Sequence, residues 1–537
     1  MCGIIGFIST ENSCEQMLEA NCGAILPRGI SFDKYISSNL ALGYSRLPTD
    51  GIEDAKLNTI GASEATKFLF NGLITNVDYL VKRFSLTPEA AISDTKCLKE
   101  GYEKYGKEFL QSCRGMFAFT YISSEEIVLV RDTVGIKPMY YIKNKEFFGF
   151  CSELKGLINM DGGIIREVLP GEIVTFNRKS RVLKKSKFVY KSYKHFKKNE
   201  LEEAIVESVI IPTRRYLRQT PNKKIGVLLS GGLDSSLIVQ VLANELSEQD
   251  KKRVVCFSIG ISASRDVFLA KKLAKKLGFK CIHVKPYGLK QAASQIKELV
   301  FEVESPFSRV VKVGLLQKAV ASKMNSVGIE VAISGDGADE LYFGYERFIN
   351  GLNSKQIIKV YKSFFKKVFY STLLQRFDRI FAREQIEGRV PLLDQELIEI
   401  SKRFSPEEKI DYIYDSGLSK LPLRIVAKKI GLPEAVYSRM KERTLMGAMN
   451  KNNSEEKDGY LEEYFEMNKK MKLKEYISNC YRDLFIEGKS SLSKASLADM
   501  EENTMRVVKQ FILDNRAALL EKQPFRRTVR EEIYGTI

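Results

Sequence analysis

The stretch from Ile225 to Ser236 constrains the fold most, because an apolar run there breaks into two glycines, an acid and two serines. A helical apolar pattern follows from Leu237. This order predicts a strand, a tight loop and the start of a helix. Gly231 and Gly232 lack a Cβ, so the loop can turn its N–H groups toward an anion at the positive end of that helix. The stretch therefore predicts a phosphate-binding loop.

The polar side chains of this loop suit a nucleotide. Ser230, Ser235 and Ser236 supply hydroxyl donors, and Asp234 supplies a carboxylate that can hold the Mg²⁺ accompanying ATP. The loop has no Walker-type lysine. Its Ser-Gly-Gly-x-Asp-Ser order is similar to the pyrophosphate loop of enzymes that split ATP between its α and β phosphates. An ordinary strand-to-helix turn with a Ser/Asp cap is the alternative.

Two later apolar runs extend the pattern. The runs 254–260 and 330–334 are typical of buried strands, and the spacing over 266–277 predicts a helix. Alternating strands and helices imply a parallel sheet covered on both sides, with ligands at the carboxyl ends of its strands. Ile259 is therefore a candidate adenine contact.

Three acids follow the run 330–334 within five residues, beside Gly335 and Gly337. Asp336, Asp339 and Glu340 would repel one another unless a cation or a metal-bound phosphate lay among them. We interpret this segment as a second loop for metal and phosphate. A solvated acidic turn is the alternative.

The length and composition of the chain limit the class of protein. A chain of 537 residues, 44% hydrophobic and 28% charged, predicts two or three globular domains. An apolar run of about 18 residues is absent, as is a signal peptide, so we expect a cytoplasmic protein without a membrane span. Nine cysteines without paired spacing and two histidines argue against a disulfide framework and a zinc site.

The net charge of +18 would attract either ATP or nucleic acid. Basic residues concentrate in the stretch 178–198, which we interpret as an interdomain linker with a solvated basic face. RNA binding is the alternative.

The chain opens with Met1-Cys2-Gly3. Removal of Met1 would leave Cys2 with a free α-amine, whose pKa near 8 allows it to act as general base for the adjacent thiol. Cys2 is therefore a candidate nucleophile. A small residue at the start of a buried strand is the alternative.

Segments farther along the first half resemble the class II glutamine amidotransferase domain of glutamine-hydrolysing asparagine synthetases. They occur in order: Leu42-Gly43-Tyr44-Ser45-Arg46-Leu47, Phe70-Asn71-Gly72, Ser93-Asp94-Thr95, 115–119 and 131–140. The resemblance implies that Cys2 attacks the glutamine amide and that Asn71 with the Gly72 N–H forms the oxyanion hole. It implies that Arg46 and Asp94 bind the substrate's α-carboxylate and α-amine. Leu73 departs from the family, which has Glu there, as does the stretch 26–30.

The second half matches the synthetase part of the same family. The resemblance implies an ATP site made by these residues: Leu229, Ser230, Gly231, Gly232, Asp234, Ser235, Ile259, Ser334 and Gly335. It implies that Asp339 shares Mg²⁺ with Asp234, that Asp336 assists formation of an acyl-adenylate, and that Lys441 stabilises the charge of the leaving pyrophosphate. Glu304 and Glu387 match segments near this site and are candidates for an acceptor or tunnel role. Arg389 and Asp394 are interpreted as a helix-end ion pair.

We therefore expect a two-domain α/β protein. A four-layer αββα N-terminal nucleophile domain spans 1–190, a doubly wound ATP-pyrophosphatase domain spans 200–450, and a charged helical extension spans 451–537. The extension would cover the synthetase domain or form a homodimer. The expected reaction is ATP-dependent, glutamine-dependent amidation of a carboxylate, with aspartate favoured. The alternatives are amidation of a sugar acid, cell-wall peptide or natural-product precursor, an RNA-modifying enzyme and a non-catalytic scaffold.

Overall fold

The computed structural model describes residues 2–10, 13–49, 66–345, 355–358, 374–410, 418–439 and 459–485. Within these ranges the chain has the expected two-domain α/β architecture. The first half contains two antiparallel sheets, and the second half contains a parallel sheet surrounded by helices.

The first sheet has the strand order β2-β3-β1-β8-β7-β9. Its strands are β1 (Gly3–Ser9), β2 (Ser31–Ser37), β3 (Leu40–Arg46), β7 (Tyr140–Lys143), β8 (Phe147–Cys151) and β9 (Ile164–Glu167). The second sheet has the order β11-β10-β6-β5-β4. Its strands are β4 (Lys67–Ile74), β5 (Gly115–Ile122), β6 (Glu126–Arg131), β10 (Glu172–Asn177) and β11 (Leu183–Lys187).

Helices cover the outer faces of both sheets, which gives the four αββα layers. Helix α1 (Cys14–Asn21) packs on the first sheet, and the second carries α2 (Val77–Arg83), α3 (Pro88–Ile92), α4 (Asp94–Tyr105) and α5 (Lys107–Ser112). Both faces of strand β1 are buried, which explains why its sequence is apolar on both sides. Ile4 and Ile8 enter the core between the sheets, whereas Ile5 and Phe7 face the helical side.

The basic stretch 178–198 is more than a linker. Its residues Leu183–Lys187 form β11, which pairs with β10 at the edge of the second sheet. The linker interpretation is therefore wrong for this part of the stretch. Three exposed lysines obscured the strand pattern in the sequence, although such lysines are common on edge strands.

The second half is built on a parallel sheet of order β14-β13-β12-β15-β16. Its strands are β12 (Lys224–Leu228), β13 (Val254–Ile259), β14 (Lys280–Val284), β15 (Ile329–Ile333) and β16 (Glu387–Arg389). Strands β13 and β14 are added on one side of β12, and β15 and β16 on the other. The chain order thus reverses at β12 and β15, which is where open α/β sheets bind ligands.

Helices enclose this sheet. They are α6 (Leu201–Gln219), α7 (Leu233–Glu245), α8 (Glu248–Lys251), α9 (Arg265–Lys276), α10 (Leu289–Val303), α11 (Ser308–Asn325), α12 (Ala338–Tyr342), α13 (Gln375–Arg383), α14 (Gln395–Ser401), α15 (Pro406–Lys409), α16 (Leu421–Lys429) and α17 (Glu434–Tyr437). Helix α7 starts at Leu233, four residues before the predicted start. Helix α9 covers the helix predicted over 266–277.

Two further helices, α18 (Gly459–Lys469) and α19 (Leu473–Phe485), lie in the expected C-terminal extension. They pack on α10, where the rings of Phe485 and Phe301 are 6.0 Å apart. This part of the extension covers the second half of the chain. Among the described helices, none combines the length and apolar character needed to cross a bilayer.

A buried ion cluster joins the two halves. Asp378 of α13 accepts from Arg28 at 2.7 Å and from Lys137 at 2.9 Å, and all three side chains are buried. Burial alone would raise the pKa of Asp378, but Arg28 and Lys137 outweigh it and hold that pKa well below its usual range. Asp378 is therefore a carboxylate at neutral pH.

Glu304 extends the cluster at the end of α10. It accepts from the backbone N–H groups of Leu154 and Lys155 and pairs with Arg379 at 2.5 Å. Burial alone would raise the pKa of Glu304, but Arg379 and then Lys155 lower it by more in total, so the net shift is downward. Burial also lowers the pKa of Lys155 to about 8. These charges can be satisfied only when the two halves dock in this arrangement.

Replacing Asp378 by Asn should lower the free energy of unfolding by about 3–5 kcal/mol, because two buried cations lose their counter-charge. Urea unfolding at pH 7 measures the loss. The lowered pKa of Asp378 stabilises the fold above its unfolded value of about 4, and this contribution disappears as pH falls through the folded value. The difference between variant and wild type should therefore shrink in acid.

The matched control is Glu399→Gln, which removes the exposed pair with Lys402. This variant should lower the free energy of unfolding by less than about 1 kcal/mol. Equal losses for the two variants would show that the buried cluster does not hold the halves together.

Candidate active sites

Cys2 lies buried at the start of β1. Its main-chain nitrogen, which becomes the α-amine once Met1 is removed, donates to Asn71 Oδ1 at 3.1 Å. Arg28 Nε donates to the Cys2 carbonyl at 2.9 Å. These contacts fix the position of the backbone that carries the thiol.

Tyr44 was not assigned a role from the sequence, although its segment was identified. Its hydroxyl donates to the Phe70 carbonyl at 2.8 Å and lies 3.2 Å from the Cys2 Sγ. Tyr44 pairs with Ile4 across β3 and β1, so strand register brings it to the thiol. Only the fold, and not a local motif, places it there.

Asn71 and Gly72 lie next to each other on β4. Asn71 Nδ2 is buried and has no hydrogen-bond partner among the described residues. A Cβ at Gly72 would lie 2.2 Å from the Met116 carbonyl, so glycine is required there. A buried donor without a partner beside the thiol suits a charge that develops during reaction.

A cleft opens from Cys2, and the space within it and at its open mouth is about 740 Å³. The lining from the first half includes Arg46, Leu73 and Asp94, so the predicted glutamine-binding residues lie together. Asp94 Oδ2 accepts from the Ile74 N–H at 3.0 Å. The second half contributes to the same lining through Pro212, Arg215, Tyr216, Gln219, Glu387 and Arg389.

Glu387 thus lies at the cleft that opens from Cys2, where the sequence predicts glutamine binding. It pairs with Arg389 at 2.6 Å and accepts from the Thr49 hydroxyl at 2.8 Å. Burial would raise the pKa of Glu387, but Arg389, with smaller contributions that include Lys137 and the Thr49 hydroxyl, more than offsets it and lowers the pKa to about 2. The expected Arg389–Asp394 pair is wrong: Asp394 caps α14 and binds Arg114 at 2.8 Å, because the domain interface supplies that partner.

Strand β16 connects the cleft to the second candidate site. Glu387 is at its start, and the carbonyl of Arg389 at its end accepts from the Ser334 N–H at 2.9 Å. Ser334 opens the acidic loop. The two sites are therefore joined by a three-residue strand.

The predicted phosphate loop follows β12 and ends in α7. The Ser235 hydroxyl lies 3.0 Å from the Ser230 hydroxyl and accepts from the Ser230 N–H at 3.1 Å. Gly231 has φ +78°, and a Cβ there would lie 2.4 Å from the Asp266 carbonyl. The loop needs glycine for both reasons. Leu229 and Ile259 lie at the ends of neighbouring strands, as expected.

The acidic loop packs directly on the phosphate loop. A Cβ at Gly335 would lie 3.0 Å from Asp234 backbone and side-chain atoms. Asp336 accepts from the Ser334 hydroxyl at 2.8 Å. Two loops more than 100 residues apart in the chain thus form one site.

Lys420 is a site residue that the sequence did not reveal. Its Nζ lies 2.5 Å from Asp234 Oδ2 and 2.6 Å from Asp339 Oδ1. Burial alone would lower the pKa of Lys420, but Asp234 and then Asp339 raise it above its usual value. The ammonium therefore balances the two acids that were predicted to share Mg²⁺.

The donor set fits a divalent cation. Asp234 and Asp339 present carboxylate oxygens on either side of Lys420, and Asp234 Oδ1 is buried without a hydrogen-bond partner among the described residues. Oxygen donors of this kind suit Mg²⁺. Lys441, the predicted pyrophosphate contact, lies outside the described residues.

Family models match both halves. Residues 1–216 match the glutamine amidotransferase domain, and residues 214–362 and 358–502 match asparagine synthase. The chain is similar to a probable asparagine synthetase of Acanthamoeba polyphaga mimivirus, with 28% identity over 82% of this chain and 84% of that protein.

It is also similar to an asparagine synthetase homologue of Methanocaldococcus jannaschii, with 30% identity over 69% of this chain and 70% of that protein. For asparagine synthetase B of Escherichia coli the identity is 25%, over 76% of this chain and 75% of that protein. The chain therefore belongs to the glutamine-hydrolysing asparagine synthetase family and is an ATP-dependent ligase with glutamine as amide donor.

Proposed function

We propose that the protein converts aspartate into asparagine through an aspartyl-adenylate, using ammonia released from glutamine. The observation that carries this proposal is that β16 contacts both sites. The side chains of Glu387 and Arg389 line the cleft at Cys2. The Arg389 carbonyl accepts from the Ser334 N–H of the acidic loop. The relatives named as asparagine synthetases support aspartate as the acceptor.

At the first site the Cys2 thiol loses its proton to its own α-amine and attacks the carboxamide carbon of glutamine. Asn71 Nδ2 and the Gly72 N–H stabilise the oxyanion, while Arg46 and Asp94 hold the amino-acid end of the substrate. The protonated amine returns the proton as ammonia leaves. Water then cleaves the thioester to give glutamate and the free thiol.

At the second site a carboxylate oxygen of the acceptor attacks the α phosphorus of ATP, and pyrophosphate leaves. The N–H groups around Gly231 and Gly232 hold phosphate oxygens, and Lys420 supplies a buried positive charge beside them. Mg²⁺ held by Asp234 and Asp339 would offset the charge of the triphosphate. Ammonia displaces AMP and forms the amide.

The connection of the two sites through β16 suits ammonia, which water would protonate and make unreactive. The buried contacts of Glu304 with Leu154, Lys155 and Arg379 support a role in joining the halves around this route. We assign Glu387 a place beside the glutamine cleft, where its carboxylate holds Arg389.

Aspartate as acceptor predicts a specific product pattern. With glutamine and ATP-Mg²⁺, aspartate should give one pyrophosphate and one asparagine per turnover. A coupled assay measures the pyrophosphate, and amino-acid analysis measures the asparagine. A panel of other carboxylic acids should give at least tenfold less pyrophosphate, which is about 1.4 kcal/mol of discrimination. Pyrophosphate release with another acid and none with aspartate would show that the other acid, and not aspartate, is the acceptor.

Cys2→Ala should abolish use of glutamine and leave synthesis from added ammonium unchanged, because the second site needs no thiol. Rates with each nitrogen source measure this. Cys22→Ala removes a half-buried thiol near α1 and is the matched control, which should retain both rates. Loss of both rates in Cys2→Ala would contradict the division of labour.

Lys420→Met should raise the affinity for Mg²⁺ alone by about tenfold, because two carboxylates lose the ammonium that balances them. Calorimetric titration without nucleotide measures this. Lys429→Met on α16 is the control. It breaks an exposed pair with Glu202 of α6 and should not change the affinity for Mg²⁺. An unchanged affinity in Lys420→Met would show that Asp234 and Asp339 do not form the cation site.

A further inference from the structure

Helix α6 packs with the helices of the synthetase half, although the match to the glutamine amidotransferase domain extends to residue 216, and it ends at the glutamine cleft. It packs on α7, which follows the phosphate loop. Pro212, Arg215, Tyr216 and Gln219 line the cleft from its last turns. Their spacing places them on one face of the helix. The wall opposite the glutaminase residues is therefore built by the other half of the protein.

Two side chains of this face bind the glutaminase half directly. Arg215 Nη2 donates to the carbonyl oxygens of Ala91 and Ile92, each at 3.1 Å. Gln219 Nε2 donates to the Ile92 carbonyl at 3.1 Å. These carbonyls end α3, where helix oxygens need outside donors and a cation is favourable.

The bound turn leads straight to Asp94. Ala91 and Ile92 are exposed, so little apolar packing holds them, whereas Ser93 and Asp94 are buried. Asp94 starts α4 and accepts from the Ile74 N–H with one oxygen. The contacts of Arg215 and Gln219 therefore restrict the turn that sets the position of the Asp94 carboxylate.

The residues that line the cleft explain why the position of the Asp94 carboxylate matters. Asp94 and Glu387 are the carboxylates that line the described cleft, and Glu387 is engaged by Arg389 and Thr49. Leu73 adds an apolar side chain without charge. Recognition of a substrate ammonium at this cleft therefore depends on where Asp94 lies.

We propose that Arg215 and Gln219 are positioning residues for glutamine: the synthetase half holds the turn before Asp94 and so completes the glutamine-binding site. The proposal rests on the assignment of Asp94 to the α-amine of glutamine. Neither residue touches the reacting atoms. Their effect is on substrate affinity, and the chemistry at Cys2 proceeds normally once glutamine is bound.

Steady-state glutaminase assays on the full chain test this. Arg215→Ala should raise KM for glutamine about tenfold with kcat within about twofold, the size expected for loss of one charged hydrogen-bonding group. Gln219→Ala should give a smaller rise. Arg215→Lys should recover part of the affinity, because an ammonium can still donate to a carbonyl. Ammonia-dependent pyrophosphate release should not change in any of these variants.

Arg218→Ala is the matched control, since Arg218 is exposed on the same helix. It should leave KM unchanged. An unchanged KM in Arg215→Ala would overturn the proposal, and so would an equal loss of the ammonia-dependent rate, which would indicate damage to α6. If Cys2→Ala still used glutamine, the proposed function itself would fail. Loss of glutamine use in Cys2→Ala with normal KM in Arg215→Ala would overturn only the positioning role.

Discussion

The structure depends on one carboxylate shared by two cations across the domain interface. Asp378 comes from the synthetase half, and Arg28 and Lys137 come from the glutaminase half. Each of these buried charges would be costly alone, so they stabilise the protein only when the halves meet in this orientation. Arg28 also binds the carbonyl of Cys2. The interaction that docks the halves therefore also positions the nucleophile.

The same docking explains how two chemistries share one chain. Strand β16 pairs with β15 through Val331↔Glu387 and Ile333↔Arg389, so it is part of the sheet that carries the acidic loop. Its side chains nevertheless face the glutamine cleft. Helix α6 makes a similar link from the phosphate loop side. The cleft at Cys2 is therefore not complete within one half of the chain.

Local motifs predicted much of this architecture. The loops at 230–235 and 334–340 depend on glycines, hydroxyls and acids that are close in sequence, so a phosphate or metal role could be predicted for them without a structure. The parallel sheet followed from three apolar runs and two helical patterns and is confirmed, whereas β14 and β16 were not predicted. Site residues whose role depends on distant contacts were not predictable. Lys420 is 186 residues from Asp234, and Tyr44 reaches Cys2 only through strand pairing.

The edge strand β11 has a consequence for association between copies. Among the described strands β11 pairs only with β10, and Lys184 and Lys187 are exposed on it, while the Lys185 ammonium pairs with Glu172 of β10. A second copy that extended the sheet here would bring two rows of ammonium groups together and strip their hydration. Pairing of copies through this border is disfavoured, so a homodimer would have to form through another surface.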